Sequence, residues 1–299
     1  MSSVTMSQAE EAFRAAEWEM AAQAFRTVLE REPGNAEACQ RLAQVRAVRG
    51  NLRQVVATYL QLMDILQSQA NLGAALQVAD WIRAIQPDSL EARSKALELH
   101  WLRGDQNQAA QVALSLVRQY IDIGSGDEAL ALLARMQQLQ PHNLELGLEM
   151  AETLVVQGQI REGAARYREM AEILQNQGNL ERAAEAYRRL KLLQPEDCNC
   201  ALQLGHLYVQ LELYSEAEQE FRSVLRHNLN HEEALLALGE VCKRKVRWRD
   251  AHLAFQRVLS LAPESFSAHE QLGEVYRLQS QTQEAVSHYL AAAQGYFAS

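Results

Sequence analysis

Five prolines set the frame of this chain. Pro33, Pro87, Pro141 and Pro195 stand 54 residues apart, and Pro263 follows after 68, which is twice 34. Gly50, Gly104 and Gly158 keep the same 54-residue step. A fixed period of this size marks stacked supersecondary units, each of which buries its apolar face against its neighbours. Cutting at these marks gives units 2–35, 36–89, 90–143, 144–197, 198–231, 232–265 and 266–299. They account for every residue after Met1, so a single solenoid with no second domain is expected.

The punctuation inside each unit predicts helices. Proline cannot extend a helical hydrogen-bond ladder, and it pushes its predecessor out of the helical region. In 144–197 the breaks at Gly158 and Gly178-Asn179 predict helices over about 144–157, 160–177 and 180–194. Near the N-terminus, Ser7-Gln8-Ala9-Glu10 reads as a capping box and predicts a helix starting near Gln8.

Three units have 34 residues and a shared pattern. Unit 198–231 carries Leu204-Gly205, Tyr208, Ala217 and Phe221. Unit 232–265 carries Leu238-Gly239, Trp248, Ala251, Phe255 and Pro263, with Cys242 where an aromatic is usual, and unit 266–299 carries Leu272-Gly273, Tyr276, Ala285 and Tyr289. These positions resemble the tetratricopeptide repeat, a helix–turn–helix. Small residues at places 8 and 20 let two helix axes approach, and large ones at places 4, 11 and 24 fill the gaps. Unit 2–35 keeps Ala9, Trp18, Ala21, Phe25 and Pro33. The 54-residue units fit the register twice. From Leu144 it meets Ala151, Gly158, Gly163, Tyr167 and Met170; from Ala164 it meets Tyr167, Ala171, Gly178, Ala183, Tyr187 and Pro195. A middle helix thus serves two repeats that overlap by 14 residues. The resemblance implies an all-α, right-handed α-solenoid of about 17 helices, in which inner and outer walls can exchange roles.

Composition narrows the function. Lys and Arg number 29 against 38 Asp and Glu, net −9, which argues against a nucleic-acid partner. No run of about 18 apolar residues occurs, and Met1–Glu11 lacks a basic-then-apolar leader, so neither a membrane span nor secretion is expected. Four cysteines are too few for a disulfide framework and point to a reducing, cytoplasmic setting. The phosphate-binding, zinc-protease and serine-hydrolase motifs are missing, so no catalytic residue and no cofactor is expected. Cys198, Cys200, His227 and His231 are a weak metal candidate at one edge of a hairpin. Against it stand the tight Cys-x-Cys spacing and the ordinary use of His near a helix C-terminus. The run Lys243-Arg244-Lys245-Val246-Arg247-Trp248-Arg249 is either an electrostatic docking point or the cover of a helix end. Cys39, Cys242 and Trp248 fall on packing positions.

The resemblance also implies a binding face, lined by first helices at places 2, 5, 9, 12 and 13. Place 9 reads Glu10, Gln44, Glu98, Glu152, His206, Glu240 and Glu274, and place 5 includes Ser94, Leu148, Leu202, Leu236 and Glu270. Places 12 and 13 include Trp101-Leu102, Val155-Val156, Lys243-Arg244 and Arg277, with Trp101 either a binding anchor or a core residue against a third helix. A leucine row beside a glutamate row makes an amphipathic groove, with a plain solvated helix face as the bland alternative. The expected ligand is another protein, through a basic and apolar peptide or helix. The last helix, about 282–298, is expected to pack inward through Ala285, Tyr289 and Ala292. That leaves Leu290 and Phe297 as a docking end for a partner or a second copy. The function these features suggest is a non-catalytic scaffold or adaptor that organises a multi-protein complex. A regulatory or sensory protein and a transient assembly chaperone are the competing readings.

Overall fold

A computed structural model describes residues 5–298, with side chains through 294, and every regular element among the described residues is an α-helix. The chain divides into two compact units, Met1–Glu149 and Met150–Ser299. The helices run α1 (Met6–Arg14), α2 (Trp18–Arg31), α3 (Ala36–Val48), α4 (Leu52–Ser68), α5 (Leu72–Ile85), α6 (Leu90–Arg103), α7 (Gln106–Asp122), α8 (Gly126–Leu139) and α9 (Leu144–Val156). They continue as α10 (Ile160–Asn176), α11 (Leu180–Leu193), α12 (Cys198–Gln210), α13 (Tyr214–His227), α14 (Glu232–Arg244), α15 (Trp248–Leu261), α16 (Phe266–Leu278) and α17 (Thr282–Ala298). The 17 helices and the bounds of α9, α10 and α11 match the sequence expectation. The N-terminal cap differs. Thr5 is the N-cap, and its N–H donates to Gln8 Oε1 at 3.2 Å, so the capping box is Thr5-x-x-Gln8 and the helix starts two residues earlier.

Two kinds of turn alternate with a strict rhythm. One kind passes through a left-handed residue: Ala16, Gly50, Ala70, Gly104, Gly124, Gly158, Gly178, Glu212, Val246 and Ser280. Their spacings are 34 or 20 residues, alternating through the 54-residue units and settling to 34 after Gly178. The overlapping register is therefore drawn by the backbone itself. Glycine adopts φ +83 at Gly104 and φ +78 at Gly158 without steric cost, whereas Val246 at φ +59 holds a β-branched side chain in a strained region. The other kind of turn ends in a helix N-cap. Asn35, Ser89, Asn143, Asp197 and His231 each accept a hydrogen bond from the backbone N–H three residues on, at 2.9–3.3 Å.

Consecutive helices pack as neighbours from α1 to α8 in the first unit and from α10 to α17 in the second, and α4 also touches α6 in the first unit. In the second unit α12 touches α14, and α14 touches α16. The even-numbered helices thus form a closely spaced row within each unit. The tightest contacts fall at place 8. A Cβ on Gly205 would lie 2.5 Å from the Phe221 ring, on Gly239 2.4 Å from Phe255, and on Gly273 2.8 Å from Tyr289. Phe221 and Phe255 are fully buried beneath these glycines. Interlocking of glycine and ring fixes each hairpin, and with it the direction in which the even helices present their outer faces.

Candidate protein-binding surface

Places 5, 9, 12 and 13 of unit 90–143 are Ser94, Glu98, Trp101 and Leu102, all on α6. Helical periodicity puts the four on one side of that helix. Here they line a groove of about 470 Å³, completed by Leu116 and Tyr120 of α7, Leu132, Met136 and Leu139 of α8, and Gln67 of α4. Leu102 is 59% exposed and Leu139 44%, so apolar lining stands open to water. Glu98, Glu128 and Arg135, all exposed, give the groove one net negative charge.

In the second unit the same places are more occupied by the fold. Leu202 is buried among Phe221, Val224, Ala234 and Val241, so it belongs to the core rather than to a surface. Leu236 is half-buried, packed between core clusters, and Leu148 of the first unit is also half-buried. Glu240 pairs with Lys243 at 2.6 Å and with Arg244 at 3.0 Å. Arg277 donates to both oxygens of Glu274, at 2.6 and 2.8 Å, and the Tyr289 hydroxyl donates to the same carboxylate at 2.9 Å. The Arg277 guanidinium outweighs partial burial and, with the Tyr289 hydroxyl, holds the Glu274 carboxyl at about 2. Glu152 accepts from the Tyr167 hydroxyl in the same way. Glu152–Tyr167 and Glu274–Tyr289 both span 15 residues, the step from place 9 to place 24. Where place 24 is Phe221, the place-9 residue is His206, which lies edge-on to that ring at 5.3 Å and bonds Glu233 at 3.2 Å. Glu270 is exposed on α16. Most of the glutamate row thus has an internal partner.

The basic run is likewise drawn inward. Lys245 and Arg247 both reach Glu218, at 2.8 Å each, and Arg247 also pairs with Asp250. Arg222 adds a third cation to Glu218 at 2.7 Å. Burial alone would raise the Glu218 carboxyl, but the Lys245 and Arg247 hydrogen bonds carry it below its ordinary range. This is a clasp between consecutive hairpins. Trp248 packs beside Cys242, as its place implies.

The metal candidate separates into four unrelated jobs. Cys200 is buried and its thiol donates to the Tyr187 carbonyl, Cys198 is half-buried at the start of α12, and His231 caps α14 through Nδ1. His227 is exposed in the last turn of α13. Among the described residues, no group of three or more His, Cys, Asp and Glu side chains is placed to hold a metal ion. On α17, Ala285 and Ala292 face inward, while Val286 and Leu290 are 50% and 59% exposed; the Phe297 side chain lies outside the described residues. Among the described residues no helix is long and apolar enough to cross a membrane.

Comparison with known proteins agrees with this architecture. A family model described as soluble NSF attachment protein, SNAP, matches residues 88–240, just over half of the chain. A tetratricopeptide repeat model matches residues 244–296. The human protein O-mannosyl-transferase TMTC1 is 23% identical over 193 residues, covering 58% of this chain and 22% of its own length. The chain therefore spans about a fifth of that relative. Among solved structures, MamA from Desulfovibrio magneticus RS-1 (residues 41 to the end) is similar at 17% identity, covering 63% of this chain and 96% of that one, with a TM-score of 0.41. A further MamA crystal structure is 17% identical, covering 60% of this chain and 94% of that one, at a TM-score of 0.40. The chain belongs to the tetratricopeptide repeat proteins and, through residues 88–240, to the soluble NSF attachment protein family.

Proposed function

We propose that this protein is a non-catalytic scaffold or adaptor that holds a partner protein on the even-helix face of its repeats. One observation carries the reading: four family surface places on α6 open into an apolar groove with exposed Leu102 and Leu139. An exposed apolar concavity with a charged margin suits one face of an amphipathic segment. The groove's net negative charge favours a partner whose flanks are basic. Within the second unit, His206, Leu236, Glu240, Lys243, Arg244, Glu270, Glu274 and Arg277 of the even helices form the secondary surface of this proposal, with Leu290 as its C-terminal docking end; Leu148 and Glu152 on α9 lie outside that face. The family name, which describes attachment of one protein to another, supports the same class of activity. A reducing, cytoplasmic setting fits the four free cysteines, whose thiols burial pushes up to about 11 at Cys39 and about 12 at Cys200.

The test uses the full chain carrying Leu102→Asp and Leu139→Asp. Proteins recovered with the wild type should fall at least about tenfold with this variant, and Leu290→Glu should retain them. An unchanged set of partners, with native far-UV circular dichroism, would refute the groove as the binding surface.

A further inference from the structure

α6 has a second concavity on its opposite side. Ala92, Ala96 and Arg103 lie about half a helical turn from Trp101, with Arg93 and His100 about a quarter turn away, and the five floor a groove of about 670 Å³ between α5 and α7. Its origin is visible in the register. Ala96 stands at place 7, where the other repeats carry Leu42, Leu62, Leu116, Leu204, Leu238 or Leu272, a methionine or, in the first repeat, Gln8. His100 stands at place 11, filled by Tyr208, Cys242 and Tyr276 in the C-terminal hairpins. The larger side chain that most repeats carry at place 7 is missing here, and Ala79, Ala92 and Ala96 line the space.

Charge is distributed unevenly in the groove. Arg83 pairs with Asp80 at 2.7 Å, and Arg103 and His100 share Asp105. Arg93 differs: its guanidinium donates to the Pro87 carbonyl at 2.8 Å and to Gln119 Oε1 at 2.6 Å, both neutral acceptors. Arg93 is thus a half-buried cation that pairs with no carboxylate among the described residues, in a chain of net −9, and such a group can take an external anion.

We infer that this slot docks a short acidic helix of another protein, with small residues facing Ala92 and Ala96 and a carboxylate on Arg93. An extended peptide would set its backbone N–H and C=O groups against alanine methyls, whereas a helix satisfies its own. The ten helical steps from Arg93 to Arg103 span about 15 Å, room for roughly three turns of a partner. The slot lies on the odd-helix side, so this docking is independent of the Trp101 groove.

The probe is a fluorescein-labelled helical peptide of roughly 16 residues, alanine on one face and glutamate at both ends, with a lysine-ended control. Binding to the full chain is read by fluorescence anisotropy at about 50 and about 300 mM salt. The glutamate peptide should bind, the lysine peptide should not, and salt should weaken the complex. Ala96→Leu restores the residue the register uses elsewhere, so it should fold and yet reduce binding at least about tenfold. Arg93→Glu should do the same by reversing charge, which keeps the test decisive if Ala96→Leu disturbs the fold. Both variants should retain partners that depend on Leu102 and Leu139, so failure here is separable from failure of the proposed function. Equal binding of the two peptides, or wild-type affinity in both variants, would overturn the inference. So would a concentration-dependent dimer abolished by Ala96→Leu, which would assign the slot to a second copy of this chain.

Discussion

Replacing Gly239 by alanine tests the packing logic of the hairpins through the sign of its effect. In an exposed helix interior, Gly→Ala stabilises by about 1 kcal/mol, because alanine loses less backbone entropy on folding. At Gly239 the new Cβ would lie 2.4, 2.6 and 2.8 Å from three carbons of the Phe255 ring. Ordinary carbon contacts are about 3.5–4.0 Å, so the ring must retreat by about 1 Å. Phe255 is fully buried, and overpacking of that kind costs about 1–3 kcal/mol. Set against the helix-propensity gain, the expected net effect is a loss of about 1 kcal/mol, near fivefold in the local opening equilibrium. In a Phe255→Leu background the obstruction is gone, and the same substitution should stabilise. Hydrogen exchange of α14 and α15 amides reads both effects, since repeat arrays open locally before they unfold globally. Increased protection from Gly239→Ala in the wild-type background, or the same sign in both backgrounds, would refute the close-approach account.

Three shorter predictions concern the second unit. Val246→Gly should relieve the left-handed strain and raise the urea midpoint of the unit by the equivalent of about 0.5–1 kcal/mol, because the strain removed exceeds the unfolded-state entropy that glycine adds. Glu218→Ala should cost about 2 kcal/mol at pH 7, read from the same denaturation curves, by leaving Lys245, Arg247 and Arg222 without their shared carboxylate. The Glu218 carboxyl is depressed on folding, so its contribution is present above about pH 4.5 and is lost as pH falls. His288 of α17 meets His269 Nδ1 to Nδ1 at 2.9 Å and stacks on Tyr276, whose hydroxyl bonds His252, so three imidazoles from α15, α16 and α17 share one cluster. Burial and then the charges of His269 and His252 hold His288 below its ordinary value; the docking of α17 should therefore be full above about pH 6.5 and weaken as pH falls. Exchange protection of α17 should follow that course, and His288→Gln should flatten it.

The helices were legible because their stops are chemical: prolines, Asn-, Ser- or Asp-headed starts, and glycines at left-handed turns. Half of those turns carry no glycine: the plain 34-place register locates Ala16, Glu212, Val246 and Ser280, and only the overlap of two registers locates Ala70. Of the binding face, Ser94, Glu98, Trp101 and Leu102 were readable as family places, and the groove forms around them. The leucine row at place 5 did not anticipate that Leu202 is buried in one cluster with Ala234 and Val241 of the α14 helix. A helix face is assigned by period alone, but its exposure depends on how closely the following repeat stacks. The partners of Glu152 and Glu274 had a sequence signal. Tyrosine instead of phenylalanine at place 24 supplies a hydroxyl that needs an acceptor, and place 9 of the same hairpin is the residue above it. The basic run stayed open between two readings in the sequence because Glu218, which pairs with Lys245 and Arg247, sits 27 and 29 residues upstream of them.

Sharing a helix between two repeats has a length requirement that this chain meets. In the regular hairpins, α12 to α16 have 13 or 14 residues. The shared helices α4, α7 and α10 each have 17, because they run from the first core place of one second helix to the last core place of the next first helix. α10 shows both duties. Gly163 admits Val155 and the Ala151 carbonyl of α9 into close contact, and Ala171, two turns on, stands at the small place of the following register. Tyr167 lies between them, buried, as place 24 of the earlier hairpin and place 4 of the later. A residue bound by two registers cannot vary freely. The two unshared helices of each 54-residue unit are under lighter constraint, and in α6 Ala96 and His100 stand at places that most other repeats fill with a large apolar side chain. Overlap thus concentrates packing in the long helices and lets the unshared helix α6 hold open surface on two sides.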